Sequence, residues 1–289
     1  SDLIIAVGAR FDDRVTGKLE AFAPHAKIVH IDIDPTSISK NIRVDIPVVG
    51  DATNILRELA QHVRHAPREA WLKQVADWRG EHPLSYDKDS GEVKPQQVIE
   101  TLCRLAPDDA IITTEVGQNQ MWTALFYTFK QPRTLLTSGG LGTMGYGFPA
   151  AIGAQVGCPD RVVVDIAGDG SIQMNIQELT TAVNYKLPVK IIVLNNGYLG
   201  MVRQWQELFY ERRYSHTDLS NNPDFVKVAE AFGARGLRLD DPKDVESKLE
   251  EMLKTEGPVL LDVRVTREEN VFPMVPAGQA INRMIGGMA

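Results

Sequence analysis

The sequence predicts an α/β protein: a doubly wound, mostly parallel six-stranded sheet preceded by a partial α/β central domain. Three observations predict it. After residue 95, six short apolar runs alternate with helical stretches, the pattern of strand–helix–strand units. Three similar runs occupy the first 50 residues. Two of the six later runs bracket a cassette, residues 168–196, that opens on Gly-Asp-Gly and closes on Asn-Asn.

Taken in order, LIIAVG, IVHIDI and IPVVG read as strands, and a helix over 54–64 closes residues 1–66, the end of a central α/β domain. Residues 67–94 are polar, carry Pro67 and Pro83, and read as a linker that is helical around Trp71 and Trp78. Residues 95–265 form a second domain with strands AIITT, RTLLT, VVVDIA, VKIIVL, GLRL and PVLLDVRV. Its helices begin near Pro95, Gly117, Phe148, Asn175, Leu199, Asp224 and Lys243. Residues 266–289 leave this pattern and read as a tail or a lid, with a composition that leans towards an unstructured end.

The bulk properties exclude several classes. The 289 residues are 43% hydrophobic and 24% charged, as in ordinary globular proteins. A net charge of −7 disfavours nucleic acid and anionic membranes as partners. No apolar run is long enough to span a bilayer. Cys103 and Cys158 stand apart without metal-ligand spacing, and read as free thiols in a reducing, cytoplasmic setting. The chain enters a strand almost at once, with SDLIIAVGAR and no initiator Met or secretory-leader pattern. The expectation is a piece of a longer chain.

The cassette carries the chemistry. The apolar runs at its ends, RVVVDIA and VKIIVL, read as buried parallel strands. Asp169 and Asn196 then stand at strand carboxyl ends, where open α/β sheets bind ligands. Both offer hard oxygens, which suit Mg²⁺ better than zinc. Because Mg²⁺ takes few protein ligands and completes its shell with phosphate oxygens, the cassette predicts a diphosphate-bearing cofactor held through its metal. Taken alone, Gly-Asp-Gly is a tight turn and Asn-Asn a helix cap. The two ends, the two strands and the 24 residues between Gly170 and Asn195 favour the metal site.

A competing motif lies just upstream. Gly140, Gly142 and Gly145 fit GxGxxG after a strand and before a helix, with Asp165 20 residues beyond Gly145. This is the form of a dinucleotide fingerprint, and the rival reading is a nicotinamide-dependent oxidoreductase. Two features oppose it. Asp165 lies inside a strand rather than ending the second strand of the unit. The glycine run also extends over GGLGTMGYGFP, which better suits close backbone approach to a flat ligand.

The spacing of the cassette resembles the GDG…NN signature of thiamine-diphosphate enzymes. Further segments narrow the resemblance: GARFDDRVTGK at 8–18, TSGGLGTMGYGFPAAIGA at 137–154, LGMVRQWQELFY at 199–210 and VFPMVPAG at 271–278. With these, the chain resembles the C-terminal half of the catalytic subunits of acetohydroxyacid synthases (acetolactate synthases). The resemblance implies the thiamine-diphosphate-binding fold for 95–265. It implies Mg²⁺ bound by Asp169, Asn196 and the Tyr198 carbonyl. Gly117, Gln118, Asn119, Gly170 and Ser171 would surround the diphosphate, and Gly200 and Met201 would also line the cofactor. Gly142 and Met144 would meet the pyrimidine, with Met144 beneath the thiazolium. Asn119 departs from the family's usual His at its position, although an Asn can still donate a hydrogen bond.

The resemblance also implies that Arg14 faces the carboxylate of a second 2-ketoacid, for which a guanidinium fork is suited. A surface ion pair with Asp12 or Asp13 is its alternative. Trp205 would shape the acceptor pocket; its alternative is a core aromatic. Arg10, Asp32, Ile33 and Asp51 would lie near a structural FAD, while turn chemistry at strand ends is the alternative for Asp32 and Asp51. The implied reaction joins pyruvate to pyruvate or 2-ketobutyrate with loss of CO₂, giving 2-acetolactate or 2-aceto-2-hydroxybutyrate for branched-chain amino-acid synthesis. A homodimer or homotetramer with a shared active site, and a regulatory small subunit, are implied partners. The activating Glu of the family belongs to an N-terminal domain that these residues lack, so the chain alone is expected to bind cofactor poorly and to form no acetolactate. Other thiamine-diphosphate ketoacid enzymes, and a non-catalytic assembly module, remain alternatives.

Overall fold

A computed structural model describes residues 1–286; the last three residues of the segment expected as a tail or lid lie outside the described residues. The chain divides into two compact units, Ser1–Ser85 together with the segment from Phe272 onward, and Tyr86–Val271.

The first unit contains β1 (Leu3–Val7), α1 (Asp13–Thr16), β2 (Lys27–Asp32), β3 (Ile46–Val49), α2 (Ala52–His62) and α3 (Glu69–Glu81). Its strands form a parallel sheet in the order β1-β2-β3. Ala6, Phe11 and Ile28 form a small core, with Phe11 edge-on to the buried His30 at 5.1 Å between centroids. Helix α2 starts two residues before its expected position because Asp51 caps it, accepting from the Asn54 amide at 3.0 Å. The described residues from Phe272 have neither helix nor strand, yet they are hydrogen-bonded through antiparallel bridges Met274–Ile285 and Gly17–Ala280.

The second unit runs α4 (Pro95–Leu105), β4 (Ile111–Thr114), α5 (Gln118–Phe126), β5 (Leu135–Thr137), α6 (Gly147–Gly157), β6 (Val163–Gly168), α7 (Asp169–Ile172), α8 (Leu179–Asn184), β7 (Lys190–Asn195), α9 (Gly200–Phe209), α10 (Phe225–Phe232), β8 (Arg235–Leu239), α11 (Val245–Lys254) and β9 (Val259–Arg264). The six strands form one parallel sheet in the order β5-β4-β6-β7-β9-β8. The winding reverses at β4, which has β5 on one side and β6 on the other.

Both faces of this sheet are buried, which explains the nearly continuous apolar strands. Side chains alternate between two cores. Val164, Ile192 and Leu261 join Val98, Ile99 and Leu102 of α4, Trp122 of α5, and Val245, Leu249 and Met252 of α11. Val163, Ile191 and Leu260 join Phe148 and Ala151 of α6, Leu179 of α8, and Phe225 and Ala229 of α10. The buried residues of α4 and α11 recur at helical spacing, each fixing one inward face. Local chemistry sets the ends. Pro95 opens α4. Asp224 caps α10, and Gly233 closes it in the left-handed region at φ +88°.

The helix expected to begin near Asn175 does so as a single 3₁₀ turn at Ile176–Glu178 continued by α8, and the short α7 precedes it. Asn175, at φ −138°, separates the two, with its side chain donating to the Gly145 carbonyl at 2.6 Å. That long-range bond competes with helix continuation.

Two glycines of α6 make the packing testable. A Cβ on Gly147 would stand 2.5 Å from the Glu115 nitrogen and overlap the Asp165 carboxylate, whereas a Cβ on Gly153 would meet nothing within 4 Å. Gly147→Ala is expected to cost about 1–3 kcal/mol through overpacking. Gly153→Ala is expected to stabilise by about 0.5–1 kcal/mol through helix propensity. Denaturant unfolding of the two variants beside the parent measures both.

Candidate metal and cofactor site

Register pairs Gly168 of β6 with Leu194 of β7. The chain therefore leaves adjacent strands with Asp169 and Asn196 side by side at the sheet's carboxyl edge. A cleft opens there, lined by Val116–Asn119 after β4, Met144 after β5, Gly168–Ser171 after β6, and Asn196 with Tyr198–Val202 after β7. This is the edge beside the winding reversal at β4, where doubly wound sheets bind ligands. Of the residues singled out from the sequence, the structure brings together Asp169, Asn196, Tyr198, Gly117, Gln118, Asn119, Met144, Gly170, Ser171, Gly200 and Met201. Gly142, in the β5–α6 loop, and Trp205, on α9, are not among the cleft-lining residues.

Asp169 is buried, and burial pushes its carboxyl up to about 7 against the pull of nearby amides and of Asn222. Asn222 donates to Asp169 Oδ2 at 2.7 Å and accepts from Gln173 Nε2 at 2.9 Å. Asn196 Oδ1 accepts the Tyr198 amide at 3.0 Å. Gly197, at φ +69°, supplies the left-handed turn between Asn196 and Tyr198. The segment 217–219 pins that turn through Leu199 N–H to the Thr217 carbonyl and Leu219 N–H to the Gly197 carbonyl, each 2.8 Å. The Arg267 guanidinium lies over the Tyr198 ring at 4.5 Å. Among the described residues no group of three or more His, Cys, Asp or Glu side chains could hold a metal. The donors here are instead a carboxylate, a carboxamide and a carbonyl. These hard oxygens fit Mg²⁺ sharing its shell with phosphate oxygens. Buried Asp169, whose charge burial disfavours, fits a site completed by a cation.

Gln118 and Asn119 line the cleft, but their side-chain amides are engaged elsewhere. Asn119 Nδ2 donates to the carbonyls of Glu115 at 3.1 Å and Ile166 at 2.8 Å, tying the ends of β4 and β6 together. As placed, its two amide hydrogens serve the strand ends rather than a phosphate. Gln118 Nε2 donates to Gln204 Oε1 and to the Glu269 carbonyl, each at 2.9 Å, and its Oε1 accepts from Asn196 Nδ2 at 3.2 Å.

Glu115 grips the glycine loop. Its two carboxylate oxygens accept the amides of Gly145 at 2.6 Å and Phe148 at 3.0 Å, which fixes the loop that carries Met144. Burial raises the Glu115 carboxyl while those amides lower it. Asp165, sealed within β6, accepts from Thr113 Oγ1 at 2.9 Å. Burial first, and then the charge of Glu115, holds the Asp165 carboxyl well above the usual range. A sealed Asp165 cannot reach a ribose hydroxyl, so the dinucleotide fingerprint lacks its acidic member. Glu178 accepts from Thr181 Oγ1 at 2.8 Å at the start of α8.

The remaining residues belong to the first unit. Arg14 is mostly exposed, with Nε 4.0 Å from Asp13. Arg10 Nε donates to Asp12 at 2.7 Å. Asp32 accepts the Asp34 amide at 2.9 Å, Ile33 is exposed, and Asp51 caps α2. The turn and cap roles open to Asp32 and Asp51 are thus the contacts seen. Sequence reasoning missed Asn222, Gln204 and the grip of Glu115. Asn222 lies in a turn-rich SNNPD stretch whose composition signals a loop but not its target. The apolar spacing of α9 places Gln204 among buried positions, and a buried Gln must find partners.

Residues 115–263 match the thiamine pyrophosphate enzyme C-terminal TPP binding domain, and residues 1–59 match the central domain of thiamine pyrophosphate enzymes. The acetolactate synthase large subunit of Haemophilus influenzae is 48% identical, over 99% of this chain and 51% of its own. The acetolactate synthase isozyme 3 large subunit of Escherichia coli is 49% identical, over 98% and 51%. The mitochondrial acetolactate synthase catalytic subunit of Saccharomyces cerevisiae is 47% identical, over 99% and 44%. The chain spans about half the length of these curated relatives.

The Asp165 carboxyl sets a pH dependence. Its folded value lies above the ordinary 3.8, so between those two values the folded state holds a proton that the unfolded chain has released. Stability therefore falls as pH rises through that window. Asp165→Asn keeps the shape and removes the titration. Unfolding curves from pH 4 to 8 are expected to show the parent losing stability relative to Asp165→Asn as pH rises.

Proposed function

The chain belongs to the thiamine pyrophosphate enzyme family, and on that premise we propose that it supplies the cofactor-anchoring half of an acetolactate synthase. Asp169, Asn196 and the Tyr198 carbonyl would hold Mg²⁺, with Gly117, Gly170, Ser171, Gly200 and Met201 around the diphosphate. When bound, thiamine diphosphate supplies the electron sink that lets pyruvate lose CO₂ and join a second 2-ketoacid. The chain's own residues anchor and orient. Glu115 holds the Met144 loop through two amides, so that Met144 would support the cofactor rings. Gly142 in the same loop would leave the backbone open to the pyrimidine edge. Glu115 itself is buried and engaged, so the carboxylate that activates the cofactor would come from outside these residues.

The finer reading follows the family resemblance of the sequence. Arg14 would bind the acceptor carboxylate and Trp205 would discriminate acceptor side chains, where one methylene is worth about 1–3 kcal/mol. Arg10, Asp32, Ile33 and Asp51 would lie near a structural FAD. The domain limits 1–66, 67–94, 95–265 and 266–289 belong to the same proposal. So do a shared active site in a homodimer or homotetramer, a regulatory small subunit and a cytoplasmic setting. Among the described residues no helix is long and apolar enough to cross a membrane.

One observation carries the proposal: buried Asp169 and Asn196 stand together in one cleft at the ends of paired strands. Calorimetric titration of Mg²⁺ into the chain with saturating thiamine diphosphate tests it. Weak but saturable binding is expected, reduced at least about tenfold in Asp169→Ala and in Asn196→Ala; a tenfold loss corresponds to about 1.4 kcal/mol. No saturable binding, or binding indifferent to both substitutions, would overturn it.

A further inference from the structure

Three side-chain amides stand in series from the cleft inward, Asn196, Gln118 and Gln204, and each is oriented by main chain. Val271 offers one donor and one acceptor whose identities are fixed. Its N–H donates to Gln204 Oε1 at 2.9 Å, and its carbonyl accepts from Gln204 Nε2 at 3.0 Å. This pairing sets which end of the Gln204 carboxamide is oxygen. Gln118 Nε2 donates to that oxygen and to the Glu269 carbonyl, both at 2.9 Å. Gln118 must therefore turn its own oxygen towards Asn196, where it accepts from Nδ2 at 3.2 Å. Asn196 is left with its oxygen on the side of the Tyr198 amide. The polarity assigned from Val271 thus agrees with the polarity assigned from Tyr198.

The anchor of this series is itself held. Arg203, fully buried, donates to the carbonyls of Glu268 and Glu269 at 3.3 Å and to Asn270 Oδ1 at 2.5 Å. Glu269 accepts from Lys94 at 2.7 Å and from Gln96 at 2.9 Å. Gln118 and Gln204 are buried too, so neither can exchange these partners for water. Gly200 has no side chain where a Cβ would overlap Gln118 Oε1.

We infer that Gln204, acting through Gln118, is a positioning residue that fixes the Asn196 carboxamide with its oxygen towards the cation. The inference rests on the reading of Asn196 as a Mg²⁺ ligand. A reversed Asn196 would present an NH₂ group to the cation and to the Tyr198 amide, both of which need an oxygen. The series prevents that reversal because turning Asn196 or Gln118 sets oxygen against oxygen, and turning Gln204 sets its NH₂ against the Val271 N–H. Outer partners of this kind commonly change metal affinity by ten- to a hundredfold.

The test is a double-mutant cycle on Mg²⁺ affinity, measured calorimetrically on the chain with saturating thiamine diphosphate. Gln204→Met keeps the unbranched shape and removes the amide. It is expected to weaken Mg²⁺ binding about ten- to a hundredfold, and to have no further effect in the Asn196→Ala background. Gln204→Leu, which also removes the amide, serves if Gln204→Met does not fold; thermal unfolding without Mg²⁺ checks folding. Equal losses from Gln204→Met with and without Asn196 would show a merely structural role and overturn the inference, as would unchanged affinity in both Gln204 variants. If Asn196→Ala alone leaves Mg²⁺ binding intact, the ligand reading itself fails, and the inference with it.

Discussion

Gly168 pairs with Leu194 across β6 and β7, and that register decides where the site is. Because the strands are parallel neighbours, they end on the same edge, and the residues just past them become neighbours too. Asp169 and Asn196 lie 27 positions apart in the chain yet face one cleft. A shift of one residue in either strand would reverse which face each side chain occupies. The packing of alternate side chains into the two cores is therefore the same feature that places both donors at one edge.

The edge of a parallel sheet leaves polar backbone groups without strand partners, and burying them is costly unless they are satisfied. Much of the site's architecture answers that requirement. Asn119 closes two strand-end carbonyls, of Glu115 and Ile166. Glu115 takes amides from the glycine loop. Gln118 and Gln204 satisfy each other and the main chain at 269–271. The result is a rigid rim in which the residues facing the cleft are held by residues behind it, as a preorganised site requires.

The sheet was legible in the sequence because its strands are buried on both faces and read as unbroken apolar runs. The cassette was legible because its two ends and their spacing form a local pattern. The short helix α7 ahead of Asn175 was not, because the bond that turns the chain there, from Asn175 to the Gly145 carbonyl, spans 30 residues. Residues behind the cleft were hidden for the same reason. Gln118 reaches Gln204 across 86 positions and Glu269 across 151, and Asn222 reaches Asp169 across 53. The sequence shows that Asn119 can donate, but only the fold shows that strand-end carbonyls take both hydrogens.

The central claim is that Asp169, Asn196 and the Tyr198 carbonyl share one divalent cation with a diphosphate. Crystals of the chain grown with Mn²⁺ and thiamine diphosphate, with data collected at the manganese absorption edge, test it most directly. The account predicts one anomalous peak about 2.0–2.3 Å from an oxygen of each of the three residues, the range expected for a hard divalent ion. A peak elsewhere, with the diphosphate away from the β6 and β7 ends, would contradict it.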